Sequence, residues 1–291
     1  MGRAVTAIPL LLISLFLALG CAESEDDPSV LRFSAIPDQD LSEQQVKYER
    51  VARYLSEQLG VAVEFQPTLS YRLSVEAFKN GDIDFAWFGG LTGVDARALV
   101  PDAQAVACGA ADAAFRSYFI AHEDAGIEPS EEFPVAMRGR DFLFGDKKST
   151  SGRLMPEWFV RTLGGAPPEE FFGAIAFSGS HPNTLRAVNE GRTPLGVLNY
   201  LTFDDAAPGE KEHVRVIWET PSYYDYNLTV RGDLDARFGA GFQERLVRCF
   251  LEMADESLLA AFGRQRFVRC SNSDFDAIRR IAIECGVTAA K

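Results

Sequence analysis

Residues 61–90, VAVEFQPTLSYRLSVEAFKNGDIDFAWFGG, decide the fold. Residues 61–65 alternate apolar and polar side chains, the period of a half-buried strand. Residues 71–80 carry a short helical pattern closed by Gly81, a residue suited to a helix C-terminus. Residues 83–88 are a third apolar run, ending at Gly89-Gly90. Upstream, residues 31–36 (LRFSAI) read as a strand. Residues 42–59 read as a helix, with Val46, Val51, Tyr54, Leu55 and Leu59 at helical spacing and Gly60 as stop. A helix over 91–99 completes a βαβαβα order, which implies α/β architecture with a parallel sheet covered by helices.

The pattern continues with a strand at 114–121, a polar stretch at 123–132, a strand at 142–144 and a helix over 151–163. Then come a strand at 175–177, a helix over 182–190, and strands at 195–198, 214–218 and 227–230. Helices over 241–254, 256–262 and 273–284 end the chain. No internal repeat or low-complexity tract interrupts it. One βα block nested inside another describes a chain that leaves lobe one, builds lobe two and returns. Lobe one is expected at 31–121 and 222–291, and lobe two at 122–221, with crossings near Ala121 and within 220–225. Two crossing strands make a hinge, and a cleft between lobes closes over a ligand.

Composition bounds the function. The 291 residues suit two lobes or one large domain, and 47% hydrophobic with 24% charged residues excludes disorder and collagen-like repeats. Lys+Arg 29 against Asp+Glu 42, a formal net charge of -13, argues against a nucleic-acid surface. It leaves a small anion open, because local donors bind one anion. Arg3, an apolar run over 4–19 and Gly20-Cys21 read as a secretory signal over 1–20. Cys21 is positioned as a lipidated N-terminus, followed by a polar tether over 21–30. The competing reading, a retained membrane anchor, needs a run of about 20 residues, and this one is short. The mature protein is expected to be soluble and outside the cytoplasm. Cys108, Cys249, Cys270 and Cys285 remain, either as buried thiols or with one disulfide among the last three.

Negative evidence thins the catalytic readings. The sequence has no GxSxG, HExxH, CxxC or Walker-type loop, and His122, His181 and His213 have no partner at metal-ligand spacing. No metal and no cofactor is expected. The strongest positive feature is Ser149-Thr150-Ser151-Gly152, placed between a strand and a helix. Three hydroxyls and successive amides at the positive end of a helix suit an oxyanion, and Gly152 leaves room for close approach. Plain capping by one serine is the competing explanation. Tyr71 opens the helix after the second strand, where its phenol is placed to donate across a cleft or to pack in a core. Trp87 and Phe88 end a parallel strand, where α/β ligands bind or the core is filled. Tyr223, Tyr224, Asp225 and Tyr226 cluster at the expected return crossing. His181 opens the helix over 182–190, and a structural histidine is the alternative there.

At these residues the chain resembles the periplasmic phosphonate- and phosphite-binding proteins of ABC importers, and especially a branch labelled selenate-binding. The matching stretches are LRFSAIPDQD (31–40), Tyr71 followed by VEAFKNGDIDFAWFGG (75–90), SYFIA (117–121), FGDKKSTSGRLMP (144–156), SGSHPNTLRAVNEG (178–191) and VIWETPSYYDYNLTV (216–230). The resemblance implies a two-lobed solute-binding fold of type II with two crossover segments. It implies an anion held between Tyr71 and the group Ser149, Thr150, Ser151, Gly152 and His181, with Phe88, Phe115, Tyr223 and Asp225 around it. It also implies ABC permease and ATPase partners, a monomer, and no membrane contact beyond a lipid anchor. Leu201 stands where aminophosphonate binders place a carboxylate for the ligand amine, which favours a compact oxyanion.

The choice of oxyanion turns on protons. Monoanions of phosphate, phosphite and phosphonates carry an O–H that needs an acceptor, whereas sulfate and selenate carry none. Asp225 directed into the cleft favours the phosphorus acids, and Asp225 facing solvent leaves selenate-like dianions open. Two other classes compete with transport: a secreted esterase or phosphatase using Ser149 or Ser151 with His181, and an anion-sensing domain that hands its ligand to a receptor.

Overall fold

The computed structural model describes residues 1–2 and 29–288. The rest of the expected leader, Cys21 and most of the tether lie outside the described residues. The strands in chain order are β1 (Leu31–Ala35), β2 (Val63–Phe65), β3 (Phe85–Phe88), β4 (Gln104–Gly109), β5 (Ser117–His122) and β6 (Phe142–Phe144). They continue with β7 (Ile175–Phe177), β8 (Leu195–Asn199), β9 (Val214–Glu219), β10 (Asn227–Val230) and β11 (Phe267–Arg269). The helices are α1 (Leu41–Leu59), α2 (Tyr71–Asn80), α3 (Gly90–Leu99), α4 (Met155–Leu163), α5 (Pro168–Phe171) and α6 (His181–Asn189). After them come α7 (Tyr200–Asp205), α8 (Leu234–Phe238), α9 (Phe242–Leu251), α10 (Glu256–Leu259) and α11 (Asp276–Glu284).

Local chemistry sets the helix ends near the cleft. The Asp40 carboxylate accepts from the amides of Ser42 and Glu43 at the start of α1, and Gly60 closes it with φ 71°. Ser70 caps α2 by accepting from Leu73 N, and Gly81 ends that helix with φ 90°. Tyr71, Ser74, Val75 and Phe78 then form the buried face of α2, with Tyr71 one turn from Val75 and two from Phe78.

The strands build two sheets, in the orders β11-β4-β10-β3-β1-β2 and β7-β6-β8-β5-β9. Both are mixed, although the strands of the βαβαβα stretch do pair in parallel as expected. β1, β2 and β3 are parallel, but β10 lies antiparallel between β3 and β4. A strand that returns from the second sheet enters the first from the opposite end, so its direction is reversed. β5 pairs antiparallel with β8 and β9 in the second sheet. The first crossing, expected near Ala121, therefore falls between Gly109 and Ser117. The strand expected over 114–121 begins only at Ser117, because residues 112–114 form a short 3-10 turn. β4 and β11 were not expected. QAVACG is rich in small residues with little alternation, and β11 has only three residues.

The two crossing segments meet. Phe115 N donates to Tyr223 O at 2.9 Å and Tyr223 N to Phe115 O at 3.0 Å, an isolated antiparallel bridge between the sheets. Separate apolar clusters fill the two halves, and Leu154 and Met155, from the segment after β6, join the cluster of the first sheet. Cys108, Cys249, Cys270 and Cys285 are free thiols. Among the described residues no helix is long and apolar enough to cross a membrane.

Candidate functional site

The STSG run folds as a wide turn before it becomes a helix. Residues Thr150–Leu154 adopt a π-helical turn, and α4 follows from Met155. Ser149 is the cap, with its Oγ accepting from Gly152 N at 2.9 Å, so its O–H proton is left to donate elsewhere. Gly152 is required by contact. A Cβ there would stand 2.9 Å from Ser149 Oγ, 3.1 Å from Gly145 Cα and 3.1 Å from His181 Cε1. Ser149, Thr150 and Ser151 are all buried.

α6 aims His181 at this turn. The ring Nδ1 accepts from Asn199 N at 3.2 Å, and Nε2 lies 3.4 Å from Ser151 Oγ. An amide N–H only donates, so Nδ1 carries the lone pair and Nε2 carries the proton. Burial lowers the pKa to about 4, which keeps the ring neutral. His181 is thus an N–H donor on the side of Ser151.

The first sheet supplies the opposite wall. Tyr71 is 1% exposed, and its Oη has no hydrogen-bond partner. Burial, then the carboxylates of Asp38, Asp146 and Asp225, push its pKa well above the usual value, with nearby Ser149 acting the other way. Asp225 is 1% exposed; Oδ1 accepts from Gly90 N at 2.8 Å, while the buried Oδ2 has no partner. Burial pushes its pKa up to about 7, against the bonds from Gly90 and Thr150. A phenol and a carboxylate oxygen, both withdrawn from water and without a protein partner, are suited to a polar ligand.

The two halves touch directly here. Thr150 Oγ1 accepts from Leu91 N at 3.0 Å, at the start of α3. A Cβ on Gly89 would sit 3.2 Å from Thr150 Oγ1 and 3.3 Å from Asp225 Oδ1, so glycine permits the approach. Ser117 Oγ donates to Ser151 O at 2.7 Å and lies 2.5 Å from Tyr223 Oη. Through Ser117 the hinge bridge is tied to the hydroxyl turn.

The structure therefore gathers Tyr71, Ser149, Thr150, Ser151, Gly152, His181, Tyr223 and Asp225. Phe115 lies in the bridge, with its ring 5.0 Å from that of Tyr200 and 5.3 Å from that of Tyr226. Phe88 has core contacts, edge-on against Phe78 at 5.7 Å, and Trp87 stacks on Tyr226 at 5.5 Å. Sequence reasoning missed Leu91, Ser117 and Asn199. For Leu91 the Gly89-Gly90 pair was the available signal, since two glycines at a strand end permit close backbone approach. Ser117 and Asn199 act by holding other residues, and no local pattern announces that. No group of three or more His, Cys, Asp or Glu side chains among the described residues is arranged to hold a metal ion.

Comparison with known proteins identifies the family and the fold. Residues 33–275 match the family described as ABC transporter, phosphonate, periplasmic substrate-binding protein. A probable phosphite-binding protein of an ABC transporter, PhnD1 of Prochlorococcus marinus, is 33% identical over 266 residues, spanning 88% of this chain and 89% of that protein. The phosphate-import protein PhnD of Mycolicibacterium smegmatis is 25% identical over 302 residues, spanning 92% of this chain and 88% of that protein. The solved structure of the Prochlorococcus PhnD1 in complex with methylphosphonate matches with a TM-score of 0.85 at 31% identity, covering 90% of this chain and 100% of that one. The α/β fold with two mixed sheets is that of periplasmic binding proteins.

Proposed function

This chain belongs to the family of periplasmic substrate-binding proteins of phosphonate ABC transporters, and on that premise we propose that it captures a monoprotonated phosphorus oxyanion between two closing lobes. The candidates are phosphite, a small phosphonate or phosphate. The observation that carries the reading is the pair of buried, partnerless atoms, Tyr71 Oη and Asp225 Oδ2, set around the hydroxyl turn. One is a donor and the other an acceptor. A ligand that fills both needs anionic oxygens and one O–H.

The roles follow from the bonds already made. Tyr71 Oη, the hydroxyls of Ser149 and Ser151, and His181 Nε2 donate to the anionic oxygens. Charge-assisted bonds of about 1.5–3 kcal/mol each, less the cost of association, suffice for micromolar binding. Asp225 Oδ2 accepts the ligand's P–OH. Thr150 Oγ1, engaged by Leu91 N and near Asp225, serves closure more than direct contact. The rings of Phe115 and Tyr223 wall the site against the P–H or P–C bond. Phe88 supports α2 from the core.

A sulfate or selenate dianion has no proton to offer Asp225, so it fits only when the carboxyl itself is protonated. That favours a phosphorus acid that keeps its own O–H over selenate, which has none. The esterase alternative is weakened by His181. Its Nε2 bears the proton where a base toward Ser151 would need a lone pair. The same reading takes residues 1–20 as an export signal, Cys21 as a lipid attachment site, and a monomer as the form that meets permease and ATPase.

Calorimetric titration with methylphosphonate, phosphite, phosphate, sulfate and selenate tests the proposal. Micromolar or tighter binding of a phosphorus acid is expected, with Tyr71→Phe and Ser151→Ala each weakening it about tenfold to a hundredfold, as loss of a charge-assisted bond requires. Absence of binding to all five anions would sink it.

A further inference from the structure

We propose that Lys148, one residue before the hydroxyl turn, is a closure latch that docks into a receptacle built by Asp95 and the C-terminal segment. The inference rests on the lobe-closing reading above and concerns groups that do not touch the anion. Lys148 belongs to the segment between β6 and α4, on the second sheet's side. Its Nζ reaches the first sheet's side, donating to Asp95 Oδ2 at 2.9 Å and to Val287 O at 2.7 Å. Asp95 is buried on α3, with its side chain 4% exposed, while that of Lys148 is 29% exposed.

Among the described residues, the receptacle's further bonds come from the first half. Thr288 Oγ1 donates to Asp95 Oδ1 at 2.5 Å, and Val287 is carried by the chain after α11, which bonds back through Val287 N to Ala282 O at 3.0 Å. Carboxylate and carbonyl therefore already converge when Lys148 arrives. A preorganised acceptor makes the docking of one cation favourable with little reordering.

The latch is in register with the anion site. Leu91 and Asp95 are four residues apart on α3 and so share a face. Leu91 N donates to Thr150 Oγ1 and Asp95 accepts from Lys148, two residues earlier in the same segment. α3 thus engages residues 148–150 twice, through the amide of Leu91 at its start and the carboxylate of Asp95 one turn on. A bond made only when the halves meet adds to the closed state and not to the open one. The anion's apparent affinity then rises by the shift in that equilibrium, and its escape slows.

The test compares wild type, Lys148→Met, Asp95→Asn, the double variant and Lys148→Arg for methylphosphonate affinity and dissociation rate. Lys147→Met serves as a control, because Lys147 is the neighbouring exposed cation and its ammonium lies 5.2 Å from the Phe177 ring centre, outside the receptacle. Each single latch variant should weaken binding about five- to fiftyfold, mainly through faster dissociation. The double variant should be no weaker than the worse single one, Lys148→Arg should recover most of the loss, and Lys147→Met should lie within twofold of wild type. Wild-type affinity in Lys148→Met and Asp95→Asn, additive losses in the double variant, or an equal loss in Lys147→Met overturns the latch alone. Failure of the wild type to bind any phosphorus oxyanion overturns the underlying reading, and the latch as a device of that site falls with it.

Discussion

Asp225 is where a single carboxyl decides both selectivity and stability. Its pKa is about 7 in the folded protein, against an ordinary value of 3.8. Below 3.8 it is neutral in folded and unfolded chains alike. Between 3.8 and 7 the unfolded chain releases the proton first, so the ligand-free fold loses stability as pH rises, by up to about 1.4 kcal/mol per pH unit. Above 7 the loss is complete. Asp225→Asn removes this slope, and urea unfolding of the ligand-free proteins at pH 4 and pH 8 should show the variant gaining on wild type at the higher pH. The amide also puts a donor where the carboxylate oxygen accepted. Methylphosphonate binding should fall at least tenfold while sulfate or selenate binding is spared or improved, a change in preference that calorimetry reads directly. Parallel stability curves, or equal losses for both anions, would count against the assigned direction of Asp225. The residue's identity was legible in the aromatic cluster at 223–226, but its direction was not. That direction depends on Gly90 N, 135 residues away in sequence. Phe88 shows the converse: an aromatic at a strand end reads equally well as wall or core, and only its contact with Phe78 assigns it to the core.

The wide turn at Thr150–Leu154 carries, with its cap Ser149, two of the proposed donors, and its geometry crowds any side chain at residue 152. A methyl group there meets the Ser149 oxygen, the Gly145 backbone and the His181 ring at once. Two of those three are proposed ligand donors. Gly152→Ala should therefore displace them, weakening methylphosphonate binding tenfold or more and destabilising the fold by about 1–3 kcal/mol, as overpacking does. Unchanged affinity in titration would show that neither donor is held by this contact. STSG pointed to a helix start from sequence, and the position was right. The π-helical form was not legible, because the turn is also held from outside it, by Gly145 N donating to Gly152 O at 2.8 Å. β4 was missed for a related reason: a small-residue strand buried between two partners gains its stability from neighbours and carries little pattern of its own.

At the scale of the whole molecule, the nesting of one βα block in another was readable, while the crossings were not. AFRSYFIA reads as one strand until the 3-10 turn at 112–114 and the Phe115 bridge divide it. What anchors that division is a buried pair 152 residues apart in sequence. Arg264 donates through Nε and Nη2 to Asp112, at 2.6–3.0 Å, and its guanidinium lies 4.7 Å above Tyr226 and 5.5 Å from the Phe115 ring centre. Asp112 O in turn accepts from Asp225 N at 3.1 Å, so the C-terminal segment braces both crossings beside the site. Removing one partner of such a pair leaves a buried charge, and Arg264→Met should destabilise the protein by about 3–5 kcal/mol. Adding Asp112→Asn neutralises the charge left behind and keeps an acceptor for Gly109 N, so the double variant should recover at least half of that loss. Urea midpoints of wild type, Arg264→Met and the double variant decide it. A near-normal midpoint for Arg264→Met would mean that the hinge stands without its brace, and a double variant no better than the single would mean that Arg264 contributes through its ring contacts and not its charge.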